Sequence, residues 1–248
     1  MAAQSRTAFT DAWIRWFAAS AEATEPELTA LDQQVGDGDF GANLVAGLRA
    51  TLRRLDDPIG PEAWKAASNG APERVRPPEA SCAGPLDAAA AAFLDEVGGT
   101  SGPLFGLLFH EMAAALAVSE GGPDAGALAT GVGNGLAAIQ RVGEATVGDK
   151  TLVDALAPAS DALTAQPPGT DPATAVAHAA RAAWEGVGNT ARLTARRGRA
   201  SYLGDRAAGV PDPGAVGIAL LFSSARGTVS RLGPLLAAAG DVPVEQGA

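Results

Sequence analysis

Apolar residues in this chain recur at the three- and four-residue spacing of amphipathic helices. Leu44, Leu48, Leu52 and Leu55 form one such series, which places all four on one helix face. Alanine is the most frequent residue and a strong helix former, whereas β-branched isoleucine is scarce. No strand-length alternation or hairpin dipeptide stands out. The sequence therefore predicts an all-α fold.

We predict about eight main helices in a single domain covering residues 1–248. Helices are expected over 9–23, from a capping-box pattern at 24–27 to the glycine-rich turn at 36–38, and over 41–55, 86–97, 103–118, 124–141, 152–164, 172–195 and 214–239. Prolines crowd residues 56–85, which predicts a loop or lid there. The tail after residue 240 is predicted to be frayed.

Charge and cysteine content exclude several classes of protein. The chain has 18 basic and 28 acidic residues and a net charge of −10, so non-specific binding to nucleic acid is not expected. Its single cysteine, Cys82, cannot form an internal disulfide and favours a cytoplasmic location. Apolar runs are too short for a membrane span. The first residues lack the continuous apolar core of a signal peptide.

Candidate functional residues lie in four polar, glycine-rich segments between the predicted helices. In the first, LDQQVGDGDFGAN (31–43), Asp32, Asp37 and Asp39 bring three carboxylates within eight residues. Such carboxylates repel one another unless a cation lies between them. Mg²⁺ accepts oxygen ligands of this kind together with phosphates. The alternative is a polar loop in which the aspartates cap helices.

Two of the other three segments suit phosphate binding, with a flexible connection and a solvated basic loop as their alternatives, and the remaining one is typical of a capped helix start. In VGGTSG (97–102), backbone N–H groups and the hydroxyls of Thr100 and Ser101 could cradle a phosphate. In VGDKTLVDAL (147–156), Asp149 and Thr151 suit helix capping, with Lys150 expected in solvent. Residues 195–215 gather the arginines 196, 197, 199 and 206, suited to phosphate oxygens.

Together these segments resemble the nucleotide-binding L subunit of dihydroxyacetone kinases. The resemblance covers about residues 28–221 and rests on four motifs in order: LDQQVGDGDFGAN, GGTSGPLFG, GDKTLVDALAP and GRASYLGDRAAGVPDPGA. It implies a closed antiparallel barrel of eight amphipathic helices, with ATP or ADP bound in the loops at one end. By the same resemblance, Asp32, Asp37 and Asp39 would hold two Mg²⁺ ions, and Arg199 would complete the catalytic set.

The resemblance also implies which residues contact the nucleotide. Two positions differ from common family residues: Phe40 stands where His or Thr is frequent, so its ring could pack on the base or ribose, and Leu152 replaces Met. The implied nucleotide contacts are Phe40, Gly41, Ala42, Asn43, Thr100, Ser101, Gly143, Leu152, Arg199, Asp212, Pro213 and Gly214. Gly143 and Leu152 would line the base pocket, and Arg199 with residues 212–214 would close over the nucleotide.

A separate K-type subunit would hold dihydroxyacetone, or a similar small hydroxyketone, through a His of its own. His110 and His178 of this chain match no family site and are expected to be structural. The phosphoryl donor would be free ATP, or bound ADP recharged by a phosphotransferase-system protein. Two alternatives remain: a related kinase acting on another sugar or natural-product hydroxyl, and a non-catalytic nucleotide-responsive binding module.

Overall fold

The computed structural model describes residues 2–56, 82–119 and 123–240, and this part of the chain is built from helices. Most of the predicted lid at 56–85 and the predicted frayed tail lie outside the described residues. The α-helices are α1 Ala2–Val35, α2 Phe40–Asp56, α3 Gly84–Glu96, α4 Ser101–Ala117, α5 Ala125–Gly143, α6 Val153–Thr164, α7 Pro172–Thr190, α8 Pro213–Ser223 and α9 Gly233–Gly240. Two 3₁₀ segments span Arg199–Ala207 and Ser224–Arg226.

The predicted helix boundary at residue 24 is wrong, because α1 runs without a break to Val35 and contains Pro26. Thr24 does not cap a new helix. Its hydroxyl instead donates to the carbonyl of Ser20 one turn earlier, at 2.8 Å. A threonine can bond back to the preceding turn in this way inside a continuous helix, so a capping pattern alone does not mark a helix start.

Two further helix predictions near the C-terminal side are too long. The helix predicted over 172–195 ends at Thr190, and the one predicted over 214–239 is divided into α8 and α9. Glu27 explains the division, since its carboxylate accepts the N–H groups of Leu232 and Gly233 at 3.0–3.1 Å and caps the start of α9. The capping carboxylate lies more than 200 residues away in the sequence, where no local pattern reveals it.

Eight helices, α1–α8, form a closed antiparallel barrel. Each helix packs against the next, and α8 packs against α1 to complete the ring. The closing contact includes a buried hydrogen bond of 2.7 Å from Trp13 Nε1 to the carbonyl of Leu221. The short helix α9 lies outside the ring, with Ala239 against Gly188 of α7. These contacts confirm the predicted fold.

Side chains fill the barrel interior. Phe93 lies 5.9 Å from Phe105 and 5.4 Å from Phe109 between ring centroids, and Phe40 extends the cluster towards one barrel end. All four rings are buried. The apolar residues of α8 complete the core from the opposite wall. The interior is therefore a packed core, and a cavity opens at the barrel end beyond Phe40.

Among the described helices, none combines the length and apolar character needed to cross a membrane.

Candidate nucleotide and metal site

A cavity of about 230 Å³ opens at the barrel end where α1, α3, α5 and α7 finish and α2, α4, α6 and α8 begin. Its wall draws on all four polar segments that the sequence singles out. Predicted site residues that line it are Asp32, Asp39, Phe40, Thr100, Ser101, Gly143, Leu152, Arg199, Asp212, Pro213 and Gly214. Because four helices begin at this end, their first backbone N–H groups point towards the cavity. This arrangement favours the binding of anions.

The three predicted metal ligands form one cluster. Carboxylate oxygens of Asp32, Asp37 and Asp39 lie within 4.8 Å of one another. Asp32 is only 8% exposed at the end of α1, and its Oδ2 accepts the N–H of Phe40 at 3.1 Å. It therefore caps α2 and fixes the turn that carries the other two aspartates. Both the predicted metal role and the helix-cap alternative thus have a structural basis.

Electrostatics in the cluster favour a bound cation. Burial raises the pKa of Asp39, and the negative charge of Asp37 raises it further, while Arg199 opposes both effects. A divalent cation among these oxygens would remove the like-charge repulsion, and three carboxylates match the hard oxygen ligands that Mg²⁺ prefers. The donor set therefore fits this metal.

Arg199 contacts the aspartate cluster directly. Its Nη1 donates to Asp37 Oδ1 at 2.6 Å and lies 3.5 Å from Asp39 Oδ1. Arg199 belongs to the segment between α7 and α8, residues 191–212, which we name the arginine loop. The loop packs on Val35 at the end of α1 through a small buried cluster that contains Ala195, Ala200 and Ala207. This packing brings a cationic group to the aspartates from 162 residues away.

Lys150 is not in solvent, contrary to the sequence prediction. It is 1% exposed, and its Nζ donates to the carbonyls of Thr190 at 2.6 Å and Val210 at 2.7 Å. Burial lowers the pKa of Lys150, which the charges of Asp212 and Asp154 partly offset. Its partners are backbone oxygens, which every residue carries, so no sequence motif could have identified them.

The predicted capping by Asp149 is wrong, whereas Thr151 Oγ1 accepts the N–H of Val153, the first residue of α6, at 3.2 Å. Leu152 holds the N-cap position of α6 and makes no side-chain cap. The organising carboxylate is that of Asp154, which accepts the N–H groups of Gly148 at 2.5 Å and Thr151 at 2.8 Å. Asp149 instead accepts the backbone N–H of Thr146, which lowers the pKa of Asp149. Sequence reasoning missed Asp154, although its spacing of three residues from Thr151 is typical of a carboxylate that accepts a backbone N–H in a turn.

Asp212 caps α8, with Oδ1 accepting the N–H of Ala215 at 2.7 Å. Burial raises the pKa of Asp212 to about 7, although the bond from Ala215 opposes the rise. Pro213 stands in the first turn of α8. A Cβ on Gly214 would lie 3.2 Å from Leu152 Cβ, so glycine allows α6 and α8 to meet closely at the cavity.

One wall of the cavity is apolar. Leu152 and Gly143 lie in this wall, together with Leu104, Ile139 and Ala145, which the sequence did not single out. An apolar wall opposite carboxylates and an arginine suits a ligand with a flat, weakly polar part and a charged part.

Residues 40–43 have three different settings. Phe40 lines the cavity but is 5% exposed, and its ring packs on Phe105 and Gly217. A Cβ on Gly41 would lie 2.6 Å from Thr29 Oγ1, so this glycine serves the contact between α2 and α1. Ala42 is exposed, and Asn43 hydrogen bonds to Asp39. These last three residues lie outside the cavity wall.

The two histidines lie elsewhere. His110 is on α4 and His178 on α7, both exposed and neither in the cavity wall. His178 Nδ1 pairs with Gln166 Oε1 at 2.9 Å, which joins α7 to the end of α6.

Comparison with known proteins places these features in a family. The family model described as the DAK2 domain matches residues 34–227. The chain is 35% identical over 200 residues to a Mycolicibacterium smegmatis protein named L-erythrulose 1-kinase, covering 81% of this chain and 32% of that protein. It is also 35% identical over 188 residues to the Listeria innocua PEP-dependent dihydroxyacetone kinase 2, ADP-binding subunit DhaL, covering 75% and 78%.

Among solved structures, the dihydroxyacetone kinase from C. freundii in complex with AMP-PNP and Mg²⁺ matches with a TM-score of 0.59 and 25% identity. The match covers 90% of this chain and 34% of that chain. The chain thus spans about a third of the length of the longer relatives and most of the length of the DhaL subunit. On the family model and these identities, the chain belongs to the DAK2 domain family.

Proposed function

We propose that this chain is the Mg-nucleotide-binding subunit of a kinase that phosphorylates an alcohol group. The observation that carries the proposal is the convergence of three carboxylates and Arg199 at one side of a cavity whose other wall is apolar. The donor would be ATP, or bound ADP recharged by a phosphotransferase-system protein. The acceptor would be dihydroxyacetone or a similar small hydroxyketone held by a K-type partner subunit.

Asp32, Asp37 and Asp39 would hold Mg²⁺, with two ions as the proposed number. When bound, the metal would neutralise phosphate charge and orient the transferred group. Asp32 is buried and fixed by the N–H of Phe40, so it offers a rigid ligand. Asp37 and Asp39 are more exposed and face Arg199, so they would hold the metal ion close to the phosphates that Arg199 binds.

Arg199 would bind the phosphates and balance the charge that develops during transfer. Phosphoryl transfer depends mainly on positioning and charge stabilisation, with little covalent chemistry required of the protein. Thr100 and Ser101, at the start of α4, would add hydroxyl and N–H donors. The apolar wall around Leu152 and Gly143 would hold the base. Together with Arg199, residues 212–214 would close over the nucleotide.

The relatives support both a subunit role and more than one acceptor. The Listeria protein is named as an ADP-binding subunit of a PEP-dependent kinase, which favours the branch in which bound ADP is recharged. The Mycolicibacterium protein is named for L-erythrulose, which favours a four-carbon ketose as the second candidate acceptor.

Calorimetric titration with ADP or ATP tests the site directly. We expect binding in the presence of Mg²⁺, and Asp37→Asn should weaken it by about tenfold or more, the usual range for disturbing a metal site. Asp171→Asn is the matched control, because it makes the same substitution at an exposed aspartate at the other end of the barrel. Unchanged Mg-nucleotide affinity in Asp37→Asn would refute the metal assignment.

Two further assays decide the donor and the acceptor. Stoichiometric ADP released on denaturing the dialysed protein would support recharging, whereas a nucleotide-free protein with activity on added ATP would support the ATP branch. Turnover should be measured on dihydroxyacetone and erythrulose, with and without a K-type subunit. Nucleotide binding without turnover under every condition would indicate a binding module and contradict the kinase.

A further inference from the structure

A single buried side chain joins the two ends of the arginine loop. The loop leaves α7 after Thr190 and returns to α8 through Val210. Lys150 Nζ donates to the carbonyls of these two residues at 2.6 and 2.7 Å. Lys150 itself belongs to the connection between α5 and α6, so the ammonium ties that connection to both ends of the arginine loop.

Other contacts brace the same junction. The N–H of Gly209 donates to the carbonyl of Ala191 at 2.8 Å, and the N–H of Asp212 donates to Thr190 Oγ1 at 2.9 Å. The N–H of Arg196 donates to the carbonyl of Asp149 at 3.0 Å. These bonds hold the base of the loop closed, while Arg199 lies further out and contacts the aspartates.

Burying the side chain of Lys150 in this backbone conformation costs free energy. The side chain is 1% exposed, and the backbone has a φ of +61°, a left-handed conformation that non-glycine residues seldom adopt. A buried ammonium needs hydrogen-bonded or charged partners to offset its lost hydration. Here the two carbonyls serve as hydrogen-bond partners, while Asp154 and Asp212 supply opposite charge.

We propose that Lys150 is a positioning residue that clamps the base of the arginine loop and thereby presents Arg199 to Asp37 and Asp39. Lys150 lines the cavity wall, but its ammonium bonds to the protein backbone. Its effect on nucleotide binding therefore passes through the loop. The effect of Lys150 on nucleotide binding rests on the proposed function, whereas its restraint of the arginine loop does not.

Limited trypsin digestion of the full chain tests the clamp, because the loop carries arginines at 192, 196, 197, 199 and 206. Cuts in the loop are identified by mass. Lys150→Met keeps the length of the side chain but removes its donors, and we expect about tenfold faster cutting within the loop, since bonds to charged groups restrain local opening. Lys150→Arg retains cationic donors and should restore much of the protection.

Ser224→Ala is the control for general destabilisation. Ser224 is buried near the opposite end of the barrel, where its hydroxyl bonds Ser20 and the carbonyl of Leu220. It should leave the rate of loop cutting unchanged. If Lys150→Met does not fold, Lys150→Gln replaces it, because the shorter, uncharged side chain also removes the ammonium that bonds the two carbonyls. Wild-type cutting rates in the loop of the folded variant would overturn the proposal.

A double-mutant cycle on Mg-ADP affinity tests the link to Arg199. Lys150→Met alone should weaken binding about tenfold, but should cost little more in an Arg199→Gln background, because both act through one contact. Fully additive losses would overturn the route through Arg199. If the wild-type chain binds no nucleotide, the proposed function fails, while the digestion result still decides whether Lys150 clamps the loop.

Discussion

Replacement of Asp212 by asparagine should stabilise the protein in a strongly pH-dependent way. Burial raises the pKa of Asp212 from its ordinary 3.8 to about 7. Between pH 4 and pH 7, the folded state therefore keeps a proton on Asp212 that the unfolded chain has already released. Stability from this group is fully present below pH 4 and is lost as the pH rises to about 7.

The structure sets the magnitude of the effect. Each tenfold change in proton affinity is worth about 1.4 kcal/mol, so ionised Asp212 costs the folded state about 4 kcal/mol at pH 8. Asparagine keeps an oxygen that can accept the N–H of Ala215 and so preserves the cap of α8. Asp212→Asn should then match wild type near pH 4 and exceed its free energy of unfolding by up to about 4 kcal/mol at pH 8.

Urea unfolding at several pH values between 4 and 8, with a metal chelator present, measures this difference. Asp171→Asn is the control, since Asp171 caps α7 by the same bond from an exposed position. Subtracting its profile isolates the contribution of burial from that of losing a charged cap. A difference between Asp212→Asn and wild type that stays constant across this pH range would refute the reasoning.

Two further predictions concern the barrel. Gly186→Ala should lower the free energy of unfolding by about 1–3 kcal/mol, because the new Cβ would overlap the backbone of Asp154 and lie 2.9 Å from Ala155 Cα. Gly133→Ala, which meets only Ser160 Oγ at 3.6 Å, should not destabilise the protein in the same melts. Trp13→Phe should cost about 1–3 kcal/mol by removing the buried bond to the Leu221 carbonyl, and chemical denaturation should show it; an unchanged midpoint would contradict the role of that bond.

Local patterns predicted the helical class and the position of the aspartate cluster. The heptad-like leucines of α2 and the Asp-rich turn before it are neighbours in sequence, so their arrangement follows from short-range geometry. The wrong predictions depend on distant partners: Glu27 caps α9, and Lys150 bonds to backbone carbonyls 40 and 60 residues away. The type of a residue does not indicate which distant backbone group its side chain will contact. These contacts could therefore be identified only from the three-dimensional structure.

The closure of α8 on α1 determines when a site can exist during folding. The bond from Trp13 to Leu221 spans 208 residues, and the pair Arg199–Asp37 spans 162. Contacts of such long range form late, because the chain must first lose the entropy of closing very large loops. During synthesis on the ribosome, Asp37 is therefore present in the chain long before Arg199 has been added. The pair formed by Arg199 and Asp37 would therefore form together with the last helix of the ring, and partly folded molecules would lack it.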